Sequence, residues 1–406
     1  MDSSIFQTPA QARYDVVIVG GAMYGSSIAW WTSRNPDFDG SILVVERDPS
    51  YSQASTSHTN SCIRQQFSNK INVQISQFGA DFINNFRDYM GANDDRVPEI
   101  ALHSYGYMYL ADNEDFAQVL RENQAIQANL GSDTKIMSRD EIAADYPFYM
   151  LDDIVAGSHN LTNEGYFDGG TIFDWWKRSA REQGAEYCTN EVVSMQLNAA
   201  GTNVDSITLA TGEVISAGKV VNASGPRAVL TSRMVGVEMP VEPRKRYTFI
   251  FDAADPLDRD LPLTIDPSGV HMRTDGRYYL AGCPPDVDPA VDYDDFVEDH
   301  SIWEEKVWPI IANRIPQFEQ IKLINSWAGH YAFNTLDQNA ILGPHTKIAN
   351  FIFSNGFSGH GLQQSPAIGR GLSEMLIYNE YRSLDLSPFG FDRIEEERPF
   401  LERAVI

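Results

Sequence analysis

The feature that most constrains the fold is one unit near the start of the chain. Residues 15–19 (Asp-Val-Val-Ile-Val) predict a strand buried on both faces, as in a parallel sheet. The glycine-rich turn Gly20-Gly21-Ala22-Met23-Tyr24-Gly25 follows at once, an apolar helical segment continues from it, and residues 41–46 predict a second buried strand that ends in Glu46. A tight turn, a helix N-terminus and a carboxylate at this spacing indicate a dinucleotide site. Ala22 stands where the second glycine of the fingerprint belongs, and it limits how closely phosphates can approach.

The rest of the chain predicts an α/β protein with two interleaved domains. Helices are predicted at 73–90, 113–130, 171–183, 301–315 and 362–378, and strands at 101–110, 185–189, 203–209, 213–223 and 350–354. Alternating aromatic and β-branched residues over 244–283 predict an antiparallel sheet. We therefore predict a Rossmann-like nucleotide-binding domain (1–90, 146–230 and 325–406) interleaved with an α+β substrate domain built on the antiparallel sheet (91–145 and 231–324).

Composition narrows the choice of partners. The 406-residue chain has 31 Lys and Arg against 56 Asp and Glu, a formal charge of −25, which disfavours nucleic acid and anionic membrane surfaces. Three cysteines without CxxC spacing predict neither a disulfide framework nor a metal site. The longest apolar stretch, 16–31, is interrupted by glycine and serine, so no membrane span is expected. Residues 1–13 lack a signal-peptide pattern, and the sequence predicts a cytoplasmic protein.

Two polar loops are candidates to complete the cofactor site. Residues 55–67 carry a run of hydroxyls, which can bond phosphate or the edge of a flavin, followed by Arg64, whose planar guanidinium suits a carboxylate. The alternative is a solvated polar loop. Residues 355–362 (Asn-Gly-Phe-Ser-Gly-His-Gly-Leu) form a glycine-rich turn before a predicted helix. Backbone N–H groups and the positive helix end would stabilise negative charge on a reduced flavin there.

These segments together resemble, in order and over nearly the whole chain, the D-amino-acid oxidase/glycine oxidase/sarcosine oxidase superfamily of FAD enzymes. Residues 221–226 (Val-Asn-Ala-Ser-Gly-Pro) also match. Within the superfamily the chain most resembles the FAD-dependent oxidoreductase domain-containing protein 1 branch, through the strings at 63–67, 327–329, 334–339, 359–364 and 385–389. The resemblance implies a D-amino-acid oxidase-like two-domain fold with FAD as the cofactor.

The resemblance also implies which residues contact FAD. The glycines of the first turn would line the pyrophosphate, Glu46 would hold the adenosine ribose, and the backbone of Val193 would pair with the adenine. The turn before the last long helix would lie at the pyrimidine edge of the flavin. The full set of expected cofactor-binding residues is Gly20, Gly21, Ala22, Met23, Tyr24, Gly25, Glu46, Arg47, Ser55, Thr56, Ser57, His58, Ser61, Cys62, Ile63, Val193, Ala223, Ser224, Gly225, Gly356, Gly359, His360, Gly361, Leu362 and Gln363.

On the substrate side, the chain departs from the sarcosine oxidases that it resembles. Arg64 matches the position at which those enzymes hold the substrate carboxylate, but Gln363 stands where they have a lysine. They carry a covalent flavin on a Cys in the segment matching 328–333, where His330 is the nearest match here. No lysine near 268–280 is available to promote attack by oxygen, which favours a dehydrogenase over an oxidase. The electron acceptor is expected to be oxygen or a carrier protein.

His58 has three competing interpretations. The string Ser55-Thr56-Ser57-His58 resembles one in dimethylglycine and sarcosine dehydrogenases whose His is bonded to the flavin C8 methyl group. The resemblance therefore implies a covalent link through His58. The alternatives are a noncovalent imidazole beside the flavin ring and a simple loop residue.

Further candidates lie in the predicted antiparallel sheet. His271 and Arg273 would bind substrate if their strand faces the flavin, and Tyr107, Tyr247 and Tyr331 are candidate pocket walls. An aromatic residue on a sheet is more often part of the core. The candidate catalytic residues are therefore Arg64, His58, His330, His271, Arg273 and Gln363.

The resemblance implies oxidation of the C–N bond of an amino acid, an N-methyl amino acid or a related secondary amine. Hydride would pass to flavin N5, and water would then hydrolyse the imine. Such a reaction needs an oriented neutral amine and exclusion of water rather than a strong general base. The alternatives are a nicotinamide dehydrogenase, an NAD(P)H-linked flavin reductase, and a flavoprotein that acts mainly in assembly of a respiratory complex.

Overall fold

The computed structural model describes residues 5–403, which form two eight-stranded sheets, one two-stranded sheet and surrounding helices. The strands are β1 (Arg13–Val19), β2 (Ile42–Glu46), β3 (Cys62–Ile63), β4 (Tyr107–Ala111), β5 (Lys135–Ser138), β6 (Ala156–Asn160), β7 (Gly165–Tyr166), β8 (Glu186–Thr189), β9 (Val192–Leu197), β10 (Val204–Leu209), β11 (Val214–Asn222), β12 (Val241–Ala253), β13 (Leu263–Ile265), β14 (His271–Asp275), β15 (Tyr278–Cys283), β16 (Ile321–Asn334), β17 (Ile341–Pro344) and β18 (Phe351–Asn355). The α-helices are α1 (Met23–Ser33), α2 (Lys70–Asn84), α3 (Phe86–Gly91), α4 (Glu114–Asn129), α5 (Arg139–Asp145), α6 (Gly169–Glu182), α7 (Ala228–Arg233), α8 (Trp308–Arg314), α9 (Gly361–Tyr378) and α10 (Asp392–Glu395).

The first sheet is built around β1. Its strand order is β17-β18-β11-β1-β2-β8, and β10 joins β9 to β11. Strand β1 runs parallel to β2 and β11, and β11 runs parallel to β18. Val16 and Ile18 enter the hydrophobic core that contains α1, whereas Val17 enters a second core on the opposite face. A strand buried on both faces needs apolar residues at successive positions, which explains the β-branched run of the sequence.

The carboxyl ends of four parallel strands meet at one edge of the first sheet. Gly20 follows β1, Glu46 ends β2, Ala223 follows β11 and Gly356 follows β18. Ligands of doubly wound sheets bind at this edge, where connections diverge to opposite faces. The topology therefore brings the first glycine turn and the last glycine loop together, although they are far apart in sequence.

The second sheet contains the strands of the predicted substrate domain. Its order is β16-β12-β15-β14-β13-β4-β6-β5, antiparallel except for the β13–β4 pair. On β12 and β14, Phe249, Phe251 and Met272 pack into a core with α8. Their neighbours Thr248 and His271 face the other way, as the two-residue period of a strand requires. The predicted antiparallel sheet over 244–283 is confirmed.

Some predicted elements differ from the structure. The helix predicted over 73–90 is broken at Asn85, whose φ of −116° and ψ of 28° are not helical. The strand predicted over 101–110 forms only at 107–111, after the turn at Gly106. The helix predicted over 301–315 begins with a π turn at 303–307 before α8. The long strand β16 was not predicted.

Two strands lie on a different sheet from the one that the predicted domain division implies. Strand β6, inside the predicted segment 146–230, pairs with β4 and β5 of the second sheet. Strand β16, which runs beyond the predicted boundary at 325, pairs with β12 along its length. The division into domains stays a prediction, and its ends at 1–4 and 404–406 lie outside the described residues. Within residues 5–403 no helix combines the length and the hydropathy needed to cross a membrane.

Candidate active site

The first glycine turn is closely packed against neighbouring backbone. Gly20 has a φ of +99°, and a Cβ on it would lie 2.5 Å from the carbonyl oxygen of Ala223. A Cβ on Gly25 would lie 1.9 Å from the carbonyl oxygen of Gly20. Both positions therefore exclude a side chain. Helix α1 begins directly after Ala22, and its first N–H, that of Met23, donates to the Thr56 hydroxyl. Ala22, Met23 and Tyr24 line the cavity, so the N-terminus of α1 lies where an anion site is expected.

Glu46 is fixed by backbone groups on both sides. Its Oε2 accepts a hydrogen bond from the Gly21 N–H at 2.8 Å, and its Oε1 accepts one from the Asp48 N–H at 2.8 Å. Burial raises the pKa of Glu46, and the two backbone hydrogen bonds oppose that effect. The carboxylate is thus held beside the glycine turn, where a ribose acceptor would be needed.

One cavity of about 310 Å³ connects the two glycine segments. At one end it is lined by Gly20, Glu46 and the segment 190–192. At the other end it is lined by residues 357–363 and by the second sheet. Its volume lies within the roughly 300–1,000 Å³ range of small-molecule sites. One ligand can therefore contact both the first glycine turn and the second sheet.

The last glycine loop contacts both the first helix and the second sheet. The Tyr24 and Phe357 rings stack with centroids 3.7 Å apart, and the Tyr24 hydroxyl donates to the Gly361 carbonyl at 2.6 Å. Gly359 has a φ of +93°, and a Cβ there would lie 2.4 Å from the ring of Tyr331. Helix α9 begins at Gly361 with no side-chain cap, so backbone N–H groups are available at this end of the cavity.

His58 and His330 lie on either side of one phenylalanine. The Phe296 ring stacks on His330 with centroids 4.1 Å apart and on His58 at 5.7 Å. His58 Nδ1 donates to the Ala54 carbonyl at 3.1 Å, and a Cβ on Gly329 would lie 2.5 Å from the His58 Cβ. His330 Nε2 donates to the Asp295 carbonyl at 2.7 Å, and burial lowers the pKa of His330. Both histidines line the cavity.

Arg64 is buried and holds the last glycine loop. Only 1% of the residue is exposed. Its Nη2 donates to His360 Nε2 at 3.1 Å, and its backbone N–H donates to Gln363 Oε1 at 2.8 Å. The guanidinium also lies 4.0 Å above the Phe67 ring. Burial and the neighbouring Arg64 charge lower the pKa of His360 well below its usual range, so His360 is a neutral acceptor.

His271 lies in the cavity wall, while Arg273 lies behind it. Asn60 Nδ2 donates to His271 Nε2 at 2.8 Å. Burial is the main reason that the pKa of His271 falls to about 4, with Arg273 and Arg246 adding to the effect. Arg273 Nη2 donates to the Asn60 carbonyl at 3.0 Å, and Arg273 pairs with Asp275 at 2.7 Å. Arg273 therefore supports Asn60 and does not itself line the cavity.

An acidic segment, residues 284–300, contacts residues that line the cavity. Asp294 pairs with Arg227 and lies 3.9 Å from Arg47, and both arginines line the cavity near the nucleotide turn. Asp295 pairs with Lys245 at 2.6 Å. Tyr293 lines the cavity itself. The segment thereby links the second sheet to residues that follow β2 and β11.

Most of the predicted site residues meet in this one cavity. Those that line it are Gly20, Ala22, Met23, Tyr24, Glu46, Arg47, Ser55, Thr56, His58, Ser61, Cys62, Arg64, Ala223, Ser224, Gly225, His271, His330, Gly359, His360, Gly361, Leu362 and Gln363. Those outside its lining are Gly21, Gly25, Ser57, Ile63, Val193, Gly356 and Arg273. The side chain of Val193 is exposed, and its neighbour Val192 lines the cavity instead.

Several cavity residues escaped the sequence analysis. They are Asn60, Arg227, Arg246, Thr248 and Tyr293. Arg246 and Thr248 could have been found from the two-residue alternation on β12, because Phe249 and Phe251 mark the opposite, buried face. Tyr107, Tyr247 and Tyr331, which were candidate walls, line the cavity.

The residues present fit FAD. Two glycines leave no room for side chains where a pyrophosphate must approach, a fixed carboxylate stands beside them, and one cavity continues to a second helix N-terminus. This arrangement provides a ribose acceptor, an anion site and donors for a flavin edge, in the order in which FAD presents those groups.

Comparison with known proteins agrees with this assignment. The family model described as "DAO: FAD dependent oxidoreductase" matches residues 15–375. FAD-dependent oxidoreductase domain-containing protein 1 of Xenopus laevis is 36% identical over 97% of this chain and 85% of its own. In fold, L-proline dehydrogenase from P. horikoshii has a TM-score of 0.81 at 24% identity, covering 95% of this chain and 98% of that one. Glycine oxidase from Geobacillus kaustophilus has a TM-score of 0.77 at 20% identity, with 94% and 98% covered. By the family model that spans residues 15–375 and by its identity with the Xenopus laevis relative, the chain belongs to the DAO family of FAD-dependent oxidoreductases.

Proposed function

We propose that this protein oxidises the C–N bond of an amino acid, an N-methyl amino acid or a related secondary amine, and releases the imine to hydrolysis. When bound, the flavin of FAD supplies the two-electron acceptor for that oxidation. The observation that carries the proposal is the single cavity that leads from the nucleotide turn to a polar wall on the second sheet. A substrate at that wall would be held against the inner end of the cofactor site.

The chain's own residues have separate tasks along the cavity. Gly20 would allow the backbone to approach the pyrophosphate, Gly25 lets the turn pack against the Gly20 carbonyl, and Glu46 would hold the ribose. Thr56, whose hydroxyl accepts from the Met23 N–H at 3.3 Å, lies where the phosphates meet α1. The N-terminus of α9 at Gly361 supplies donors for negative charge at the flavin edge. The Arg64–His360 contact keeps that loop in place.

The substrate end is suited to a neutral amine. Among the described cavity-lining residues, the carboxylates Glu46, Asp48 and Glu191 all lie at the nucleotide end. The substrate end has arginines and a His271 that is neutral near pH 7. An ammonium ion is disfavoured beside these cations, so the protein binds the amine deprotonated and needs no strong base.

The electron acceptor in this proposal is a carrier rather than oxygen. No lysine is among the described residues that line the cavity, so a cation of the kind expected to promote attack by oxygen is missing there. The reduced protein should therefore transfer electrons to an artificial dye much faster than to dissolved oxygen. Rapid reoxidation in air would contradict this part of the proposal.

His58 remains a candidate for the covalent link that the resemblance implies. Its Nδ1 is occupied by the Ala54 carbonyl, which leaves Nε2 as the nitrogen for any bond to the flavin. Acid precipitation of the yellow holoprotein tests the link directly. Flavin in the pellet of the wild type, and in the supernatant of His58→Ala, would establish it, whereas flavin in both supernatants would exclude it.

The central experiment is an anaerobic screen of the FAD-loaded protein with amino acids, N-methyl amino acids and other secondary amines. Loss of the oxidised flavin absorbance with at least one of them, together with formation of the carbonyl product, is the expected result. A panel that leaves the flavin oxidised throughout, while dithionite reduces it normally, would contradict the proposal and favour a role in the assembly of a complex. Bleaching by NAD(P)H alone would instead indicate a flavin reductase.

A further inference from the structure

The cavity wall on the second sheet contains two buried N–H donors that no described protein group satisfies. Within residues 5–403, neither the Arg246 Nε nor the His271 Nδ1 has a hydrogen-bond partner. Both residues line the cavity. Buried donors without partners are rare in folded proteins because they lose their hydration and gain nothing. Two in one wall indicate that a ligand acceptor belongs there.

The hydrogen bonds of Arg246 leave one edge of its guanidinium open. Nη1 donates to the Lys245 carbonyl at 2.7 Å and to Asp288 Oδ1 at 2.8 Å, and Nη2 donates to Asp288 Oδ2 at 2.9 Å. A guanidinium has five N–H donors, so these bonds leave the Nε–H and one N–H of Nη2. Those two donors form the side-on fork that accepts a carboxylate in two parallel hydrogen bonds.

His271 presents a defined donor. Thr248 Oγ donates to Asn60 Oδ1 at 3.3 Å, which orients the Asn60 amide so that its Nδ2 donates to His271 Nε2. His271 Nε2 is therefore an acceptor, and in the neutral ring the proton lies on Nδ1. That N–H is the unpartnered donor of a residue that is only 6% exposed.

The sheet register places these groups on one face. Thr248 of β12 and His271 of β14 both pair with Gly282 of β15, which lies between them. A Cβ on Gly282 would lie 2.7 Å from His271 Nε2, so the glycine makes room for the imidazole. Arg246 precedes Thr248 by two residues on β12 and therefore projects from the same face. Tyr331 lies under the guanidinium at 4.7 Å and restricts its orientation.

We propose that the open edge of Arg246, together with the Nδ1–H of His271, binds the carboxylate of the substrate and makes the protein selective for amines that carry one. This assignment rests on the proposed function and specifies its substrate class. It differs from the role that the family resemblance implies for Arg64, whose guanidinium is 1% exposed and bonded to His360 and to the Gln66 carbonyl.

The test measures binding without turnover. The FAD-loaded protein is titrated with propionate and with its neutral isostere propionamide, and the shift of the flavin absorbance gives each Kd. Arg246→Met should weaken propionate about 10- to 100-fold, as expected for loss of charged hydrogen bonds, and leave propionamide unchanged. His271→Phe should weaken propionate less. Arg246→Lys keeps the charge but lacks the fork, so its Kd for propionate should lie between those of the wild type and Arg246→Met.

Arg244→Met is the matched control. Arg244 lies on the same strand and also contacts Asp288, but it is not among the residues that line the cavity. This variant should bind propionate as the wild type does. Equal propionate affinity in the wild type and in an Arg246→Met protein with a normal flavin spectrum would overturn the inference, as would equal weakening by Arg244→Met.

The outcome also separates this inference from the proposed function. If propionate binding depends on Arg246 while no amine reduces the flavin, the carboxylate site stands and the proposed oxidation fails. If amines reduce the flavin but Arg246→Met binds propionate normally, the oxidation stands and this assignment fails.

Discussion

The rings of Tyr24 and Phe357 stack 3.7 Å apart with their planes 8° from parallel. Tyr24 lies in the first turn of α1, and Phe357 lies in the loop before α9, so this contact joins the first glycine turn to the last glycine loop. The Tyr24 hydroxyl adds a hydrogen bond to the Gly361 carbonyl. Both rings line the cavity. This aromatic pair therefore lies at the junction between the two glycine segments of the FAD site.

Tyr24→Ala should lower both stability and FAD affinity. The change removes a buried ring and its stacking contact with Phe357, which should lower the free energy of unfolding by about 3 kcal/mol. Tyr24→Phe keeps the stack and loses only the hydrogen bond, so we expect a loss of about 1 kcal/mol. Chemical denaturation and flavin fluorescence titration measure the two effects. An FAD affinity of Tyr24→Ala equal to that of the wild type would contradict the idea that this pair aligns the site.

Gly25→Ala should prevent FAD binding. Its Cβ would lie 1.9 Å from the Gly20 carbonyl oxygen, so the turn must open for the methyl group to fit. The purified variant should be colourless. It should bind added FAD at least tenfold more weakly, because backbone N–H groups of the opened turn would no longer be placed to donate to the cofactor. Gly170→Ala is the control, because a Cβ there meets nothing closer than Asp168 Oδ1 at 3.4 Å. A yellow Gly25→Ala protein would show that the turn is not tightly constrained.

Asp294→Asn should speed the release of FAD without a large loss of stability. Asp294 pairs with Arg227 and lies near Arg47, both of which line the cavity, but it is exposed, and exposed pairs contribute about 0–1 kcal/mol. The release of FAD is followed by its capture in an excess of a second FAD-binding apoprotein. At low salt the variant should release FAD faster than the wild type, and this difference should shrink at high salt. Asp286→Asn is the control, since its Lys306 pair does not line the cavity. Identical release rates would argue against a closing role for the acidic segment.

His159 should make the protein less stable in mild acid. Burial is the main reason that the pKa of His159 falls to about 4, and its Nε2 contacts the Tyr146 hydroxyl at 3.0 Å. In the unfolded chain the imidazole has its ordinary pKa near 6.5. Between that pH and about 4 it binds a proton in the unfolded state but stays neutral in the folded state. Stability therefore falls as pH drops from about 6.5 towards 4, by about 2 kcal/mol at pH 5 for this group alone.

Denaturation of His159→Gln at pH 7 and pH 5 measures this contribution. The variant should lose about 2 kcal/mol less than the wild type over that interval, whatever its stability at pH 7. His300→Gln, at an exposed imidazole, should behave as the wild type does. An acid-induced loss that is the same in all three proteins would contradict the assignment.

The nucleotide half of the site was predictable because its signals are local. The strand, the glycine turn, the helix and Glu46 follow one another, and backbone contacts require the glycines at 20 and 25. The order of the parallel strands then follows from the fold class. What the sequence could not predict here is which atoms hold the Glu46 carboxylate.

The substrate half was less predictable because its contacts are distant in sequence. Strand β16 is exposed over much of its first half, so its sequence lacks a clear alternation, and its pairing with β12 determines its structure. The alternation on β12 could have placed Arg246 on the cavity face, but its bonds to Asp288 join residues that the sequence does not connect. Arg64 was predicted as a carboxylate ligand, and its burial depends on His360 and Gln363, nearly 300 residues later.

The FAD site has a consequence for biosynthesis. Its first part, the turn at 20–25, is synthesised long before the loop at 356–361 and helix α9, since Gly361 follows Tyr24 by 337 residues. Until then the growing chain has the adenylate end of the site without Phe357 against Tyr24. Nascent chains therefore cannot retain the cofactor firmly before helix α9 has been made and has folded.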